Sequence, residues 1–343
     1  MRATSKGLVA ALLSLLMSAA TGCGGDDGGG DDGEDGEDDG STGTWEFVHQ
    51  GLPGALLSVW GTSTDDIWAV GSDPDDEGPE VRHYDGAEWQ ELDTGTVGDL
   101  WWVFGPAPAG GPVFMGGEGG TILRYQDGEF TQMETPRTDV SVFGIWGCSA
   151  EEMWAVGGGA NGSSGGFAWR LDGDTWVEAE GFPAEVADAD AVWKIFGRSC
   201  DDVWMVGTAG LAIHWDGAAF GGVERVAGGS LFTVHANSER FVAVGGYGTG
   251  ILIENDGSGW ADAAPTGIDP VVGVCLTEEG GAAAGWYGSV LSRSTGAWER
   301  EDIGMIIDEA FHSVWVDPEG GVWAVGGQIL SPPLGRGVMI HRD

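Results

Sequence analysis

The residues of this 343-residue chain that could do chemistry are six histidines, four cysteines and a set of adjacent acids. Asp65-Asp66, Glu151-Glu152, Asp201-Asp202 and Glu278-Glu279 each set two carboxylates side by side. Paired carboxylates are what glycoside cleavage uses as acid and base. These pairs, however, recur at one place in a repeat, where turn chemistry accounts for them: short acidic side chains bond local amides. His83, His214 and His341 also share one repeat position, which Arg170, Glu254 and Arg293 fill in other copies. Equivalent positions around a ring point in different directions and do not converge on one ion. His235 and His312 replace apolar residues and read as hydrogen-bonded core groups, while His49 ends a strand. Clustered Cys and His at the short spacing of a metal site are absent. So are a P-loop, a dinucleotide fingerprint, a Gly-x-Ser-x-Gly elbow and a His-Glu-x-x-His helix. The expectation is no catalytic residue, no metal and no cofactor.

What positions these residues is a phrase that returns about every 40 residues. It reads Ile67-Trp68-Ala69-Val70-Gly71, Met153-Trp154-Ala155-Val156-Gly157, Val203-Trp204-Met205-Val206-Gly207 and Val322-Trp323-Ala324-Val325-Gly326. Looser copies are Phe241 to Gly245, Val113 to Gly116 and Ala282 to Gly285. Before each phrase lies another short apolar run, such as Leu57-Ser58-Val59-Trp60-Gly61 or Trp193-Lys194-Ile195-Phe196-Gly197. Runs this short, rich in β-branched and aromatic residues and bounded by turn residues, are strands. Apolar spacing of helical period over ten or more residues is not found. Two further strands follow each phrase, joined by Asp85-Gly86, Asp127-Gly128, Asp172-Gly173, Asp216-Gly217, Asp256-Gly257 or Thr295-Gly296. Asp-Gly between apolar runs marks a hairpin, because Gly supplies the positive φ of the turn.

The expected fold is therefore all-β, a seven-bladed β-propeller over residues 44–343. Its seventh copy stops at His341-Arg342-Asp343, and the missing strand matches Thr44-Trp45-Glu46-Phe47-Val48 at the other end of the domain. The N-terminal strand is expected to complete the last blade, which leaves no open edge between the chain ends.

Residues that break the repeat are the better functional candidates. Insertions at 72–80, 158–166 and 328–337 fall between second and third strands, and a fourth at 179–190 links two blades. In a ring of blades these connections emerge on one face, and binding residues favour loops on a rigid scaffold. Asp73, Asp75, Asp76, Glu77 and Glu80 make the first loop acidic, and Arg336 adds a positive charge nearby. The acidic loop lacks the ligand spacing of a known calcium loop. Cys148 and Cys200 fall in corresponding turns of consecutive copies and are the expected disulfide, with Cys275 a buried thiol in a first strand.

Residues 1–22 have the form of an export signal: Arg2 and Lys6, then an apolar run from Leu8 to Ala20. That run is too short for a membrane-spanning helix, which needs about 20 residues. Ala20-Thr21-Gly22-Cys23 resembles a bacterial lipobox, which would make Cys23 the lipidated first residue of the mature chain. Residues 24–40 are all Gly, Asp and Glu, the composition of a solvated tether, so residues 23–43 read as a spacer. The chain carries 55 acids against 14 Lys and Arg, a net charge of −41. Such a surface excludes nucleic acid and anionic headgroups as partners, so membrane contact is expected only through the lipid.

The Val-Trp-Ala-Val-Gly and Tyr-Asp-Gly-x-x-Trp pattern resembles the repeat of exported bacterial β-propeller lipoproteins. It is more distantly similar to photosystem II assembly factor-like, Asp-box and kelch propellers. The step from Asp85 to Trp89 is shorter than an Asp-box requires, and the arginine triad of sialidases is not recognisable. With Gly24 after the Cys in place of Asp, the resemblance implies an outer-membrane location. The function expected is a non-enzymatic, monomeric cell-envelope scaffold binding a protein or a glycan. The alternatives are a glycosidase or lyase working on the loop-bearing face, and a purely structural surface protein.

Overall fold

The computed structural model describes residues 43–106, 110–294 and 296–343. The signal segment, Cys23 and residues 24–40 lie outside them. The described chain forms seven four-stranded sheets, six of them built from four consecutive strands. Their first strands are Leu56–Ser63, Leu100–Phe104, Val140–Gly147, Val192–Ser199, Leu231–Ala236, Val271–Leu276 and Ala310–Val316, which number the blades. The seventh sheet draws its outer strand from the N-terminal side. Glu46–Leu52 pairs antiparallel with Gly335–Arg342, with Glu46 opposite His341 and Gln50 opposite Val338. The closing strand extends beyond Val48, so His49 lies inside it.

The recurrent phrase is the second strand of each blade. A blade packs between two neighbours, so its inner strands are covered on both faces and read as continuous apolar runs rather than alternating ones. Ile67, Trp68, Ala69 and Val70 are all buried, and the matching residues of blades three, four and seven are too. Outer strands such as Trp89–Glu91 face solvent and are largely polar. The phrase ends in Gly for a packing reason. A Cβ on Gly71, Gly157, Gly207, Gly245, Gly285 or Gly326 would overlap a carbonyl oxygen at the start of the first strand or just before it, that of Ala55, Ser141, Ala191, Ser230, Pro270 or Ala310.

Local departures from the expected pattern have simple causes. Ala184–Ala189 forms a short α-helix in the linker between blades three and four, where no helix is expected. Its residues favour helix, but one buried Val186 is too little to show a helical period. In blade four Phe220 makes only an isolated bridge to Trp215, and the fourth strand is the two residues Glu224–Arg225, beyond Gly221-Gly222. Opposite the phrase residues Phe114 and Ala282 the register places Arg124 and Ser292, so Arg293 sits one place past the repeat position. Cys148 and Cys200 are joined by a disulfide with a Cα–Cα distance of 5.5 Å, linking blades three and four. Cys275 is a buried free thiol, its pKa pushed up to about 11 by burial.

Candidate functional site

Every first strand carries a register jump within its first four paired residues. In blade one Leu56 pairs with Gly71 and Ser58 with Val70, leaving Leu57 unpaired. The same jump leaves Trp101, Phe143, Trp193, Phe232, Val272 and His312 outside the ladder of blades two to seven. A β-bulge re-aims the extra side chain. Repeated in every blade, it turns one residue per blade toward the propeller axis. All except Leu57 line a single cavity of about 80 Å³, and Leu57 packs in the same apolar cluster.

The result is a funnel of aromatic rings. Centroids lie 6.0 Å apart for His312 and Trp101, 5.7 Å for Trp101 and Phe143, and 4.7 Å for Phe143 and Trp193. The circuit continues through Phe232 at 6.3 Å from Trp193 and Tyr247 at 5.1 Å from Phe232. Asn161, Tyr247, Trp286, Ile329 and Leu334 come from connections between second and third strands. The funnel therefore opens on the loop-bearing face, and the 158–166 and 328–337 insertions supply part of its rim.

Its polar groups are few. Lys194 is 5% exposed and lines the cavity. Its Nζ donates to the Phe143 carbonyl at 2.6 Å and lies 4.0 Å from the Trp102 ring centre. The backbone passes closely here because residue 144 is Gly: a Cβ there would stand 3.2 Å from the Lys194 Cα. No carboxylate among the described residues pairs with this amine, and burial pushes its pKa down to about 7. His312 Nδ1 lies 2.5 Å from the Leu57 carbonyl, which can only accept, so Nδ1 carries the proton and Nε2 is an acceptor. Burial, then the Lys194 charge, lowers the His312 pKa to about 3, which keeps it neutral. Burial raises the pKa of Tyr247. The indole N–H groups of Trp101, Trp193 and Trp286 are buried with no acceptor.

The acidic loop is only partly a surface feature. Asp73 is buried: its Oδ1 accepts from the amides of Glu77 and Gly78 at 3.0 and 3.1 Å, and its Oδ2 from that of Gly98 at 2.9 Å. Glu80 is buried too, accepting from Gly54 N at 3.3 Å and pairing with Arg82 at 3.1 Å. Both hold the loop together. Asp75, Asp76 and Glu77 remain exposed, and Arg336 pairs with Glu309 at 2.5 Å. Other apolar side chains stand out on this face. Val97, Tyr287 and Ile306, at 64%, 57% and 90% exposure, lie in inter-blade linkers or a second-to-third connection.

The histidines at the shared repeat position brace the blades. His83, His214 and His341 stack on Trp68, Trp204 and Trp323 with centroids 3.9, 4.7 and 3.9 Å apart. In blade three the Arg170 guanidinium takes that place, 4.6 Å over Trp154. Asp66 bonds both His83 Nε2 at 2.8 Å and Trp68 Nε1 at 3.0 Å; the His83 bond is the main cause of its lowered pKa. Asp202 bonds His214 Nε2 at 2.8 Å. Members of the recurrent acidic pairs thus anchor stacks on the face opposite the funnel. His235 accepts from Leu276 N at 3.1 Å and is held neutral by burial, with a pKa of about 3. Cys148, Glu152 and Cys200 lie close together, but sulfurs bonded to each other offer no thiolate to a metal.

No family model matches the sequence, and no curated protein matches it. Solved structures do. YCF48 from Cyanidioschyzon merolae superposes with a TM-score of 0.64 at 12% identity, covering 87% of this chain and 98% of that one. A structure of YCF48 bound to D1 peptide gives 0.63 at 15% identity, covering 88% and 99%. Streptogramin B lyase gives 0.66 at 11% identity, covering 88% and 98%. The chain is a seven-bladed β-propeller. Likenesses at these identities establish that fold and leave the activity to be argued from the site.

Proposed function

We infer that this chain is a non-enzymatic binding module of the cell envelope, monomeric and tethered through lipid on Cys23, that docks a partner protein on its loop-bearing face. The observation that carries this reading is the asymmetry between the two faces. One gathers the funnel, the long insertions and the exposed Val97, Tyr287 and Ile306. The other is occupied by short turns bonded within their own blades, as with Ser149, whose hydroxyl accepts from the amides of Glu151 and Glu152, or to the next blade, as with the Cys148–Cys200 bridge and Asn237, which donates to the Thr277 carbonyl. Exposed apolar side chains grouped on one polar-rimmed face mark interaction surfaces. The YCF48 structure holding D1 peptide shows a propeller of similar fold in complex with a peptide and lends analogy only. The funnel offers no carboxylate pair among the described residues, which favours binding over glycoside cleavage.

Site-specific photo-crosslinking in intact cells tests this. A photoreactive residue at Tyr287 or Ile306 should give discrete adducts, and one at Glu151 or Glu239 on the opposite face should not. Adducts confined to the opposite face would overturn the reading.

A further inference from the structure

The polar groups of the funnel are unbalanced. Lys194 brings an amine to its floor with no carboxylate beside it, and Trp101, Trp193 and Trp286 hold indole N–H groups without acceptors. A floor built for packing alone would be filled by Leu or Met, since a buried amine without a counter-charge costs stability even when it donates to a carbonyl. A cation inside aromatic walls is complementary to an anion with an apolar body.

We propose that the funnel binds a small monocarboxylate, its carboxylate against Lys194 and its apolar or aromatic body among Trp101, Phe143, Trp193 and Phe232. This goes beyond the docking face and needs no partner protein. Charge decides the polar end: an amine would face Lys194, and a neutral ligand would leave it unpaired. Size decides the body: about 80 Å³, with Asn161, Ile329 and Leu334 reaching in from the insertions, suits a phenyl or short alkyl group rather than a chain segment.

The groups facing the Lys194 amine are the Phe143 carbonyl of blade three, the Trp102 ring of blade two and the neutral His312 of blade seven; Tyr247 of blade five lines the same cavity and burial raises its pKa. Lys194 is therefore the group whose protonation binding must draw upon. Its free-state pKa is about 7. Affinity for a carboxylate should stay level below that pH and fall about tenfold per pH unit above it, with proton uptake on binding.

Titration calorimetry on the full chain in detergent, near pH 6.5, compares hydrocinnamate, hydrocinnamide, phenylpropylamine and acetate. Hydrocinnamate should bind roughly tenfold or more tightly than its amide, since a charge-assisted bond is lost in the amide. The amine and acetate should show no heat. Lys194→Met should erase the preference for acid over amide, and Trp193→Ala should weaken both. The proton uptake of the unaltered chain, read in two buffers above pH 7, supports the proposal without any variant. Equal affinity for acid and amide, no hydrocinnamate binding at about 10 mM, or an acid preference surviving in Lys194→Met would each overturn it. A lost crosslink at Tyr287 would instead count against the docking face alone.

Discussion

Replacing Trp45 by Ala tests whether the ring is closed by its N-terminal strand. Trp45 is 5% exposed, its indole donates to Glu301 Oε1 at 2.7 Å, and the Arg342 guanidinium lies 5.3 Å from its ring. Truncating a buried Trp costs about 3–5 kcal/mol. Trp45→Phe keeps most of the burial and loses the bond to a charged acceptor, worth about 1.5–3 kcal/mol. Blade six supplies an internal standard: Trp298 is 4% exposed and donates to Glu254 Oε1 at 2.8 Å, but its strand is continuous with the rest of its blade. Urea unfolding followed by circular dichroism should give Trp45→Ala and Trp298→Ala similar losses. A loss below about 1 kcal/mol at Trp45, beside a full loss at Trp298, would mean that the closing strand is not docked.

Further outcomes follow from the same contacts. Replacing both Cys148 and Cys200 by Ser should cost about 4 kcal/mol in the loop-entropy account for a bridge of sequence separation 52; unchanged unfolding under reducing and oxidising conditions would contradict this. Burial lowers the Lys194 pKa from the ordinary 10.5 to about 7 in the folded chain, so its penalty is full below pH 7 and fades as pH rises toward 10.5. Lys194→Met should therefore stabilise the fold by roughly 3–5 kcal/mol near pH 6, and the gain should shrink by pH 10. His235 and His312 refuse protons down to about pH 3 while their unfolded forms take them up near 6.5, so stability should fall as pH drops through that window. An acid titration that is flat from 6.5 to 4 would sink the assignment of both as buried neutral groups. Cys23→Ser should move the protein from the membrane fraction to the soluble fraction on cell fractionation, and continued sedimentation would place the anchor elsewhere.

Much of the fold was legible because a propeller repeats one packing problem. Trp68, Trp154, Trp204 and Trp323 solve it the same way, and the match between Trp45 and Trp298 gave away the closure. The first-strand residues that make the funnel were visible in the repeat, but their role was not. Leu57, Trp101, Phe143 and Trp193 look like ordinary strand residues until the bulge is known, and a bulge leaves no residue signature there. Lys194 did carry a signal: it is the one charged residue at a place filled elsewhere by Ser58, Trp102, Gly144, Thr233, Gly273 and Ser313. Asp73 and Glu80 misled for the opposite reason. Acids in a long loop look available, yet these two bond the loop's own amides and neighbouring backbone.

The claim that matters most is that the loop-bearing face does the binding. Hydrogen exchange read by mass spectrometry, on the full chain alone and with the partner it crosslinks to, tests it most directly. The account predicts slowed exchange in 72–80, 158–166, 286–289 and 328–337. Slowed exchange in the opposite turns, 148–152, 237–240 and 317–321, with those loops unchanged, would contradict it.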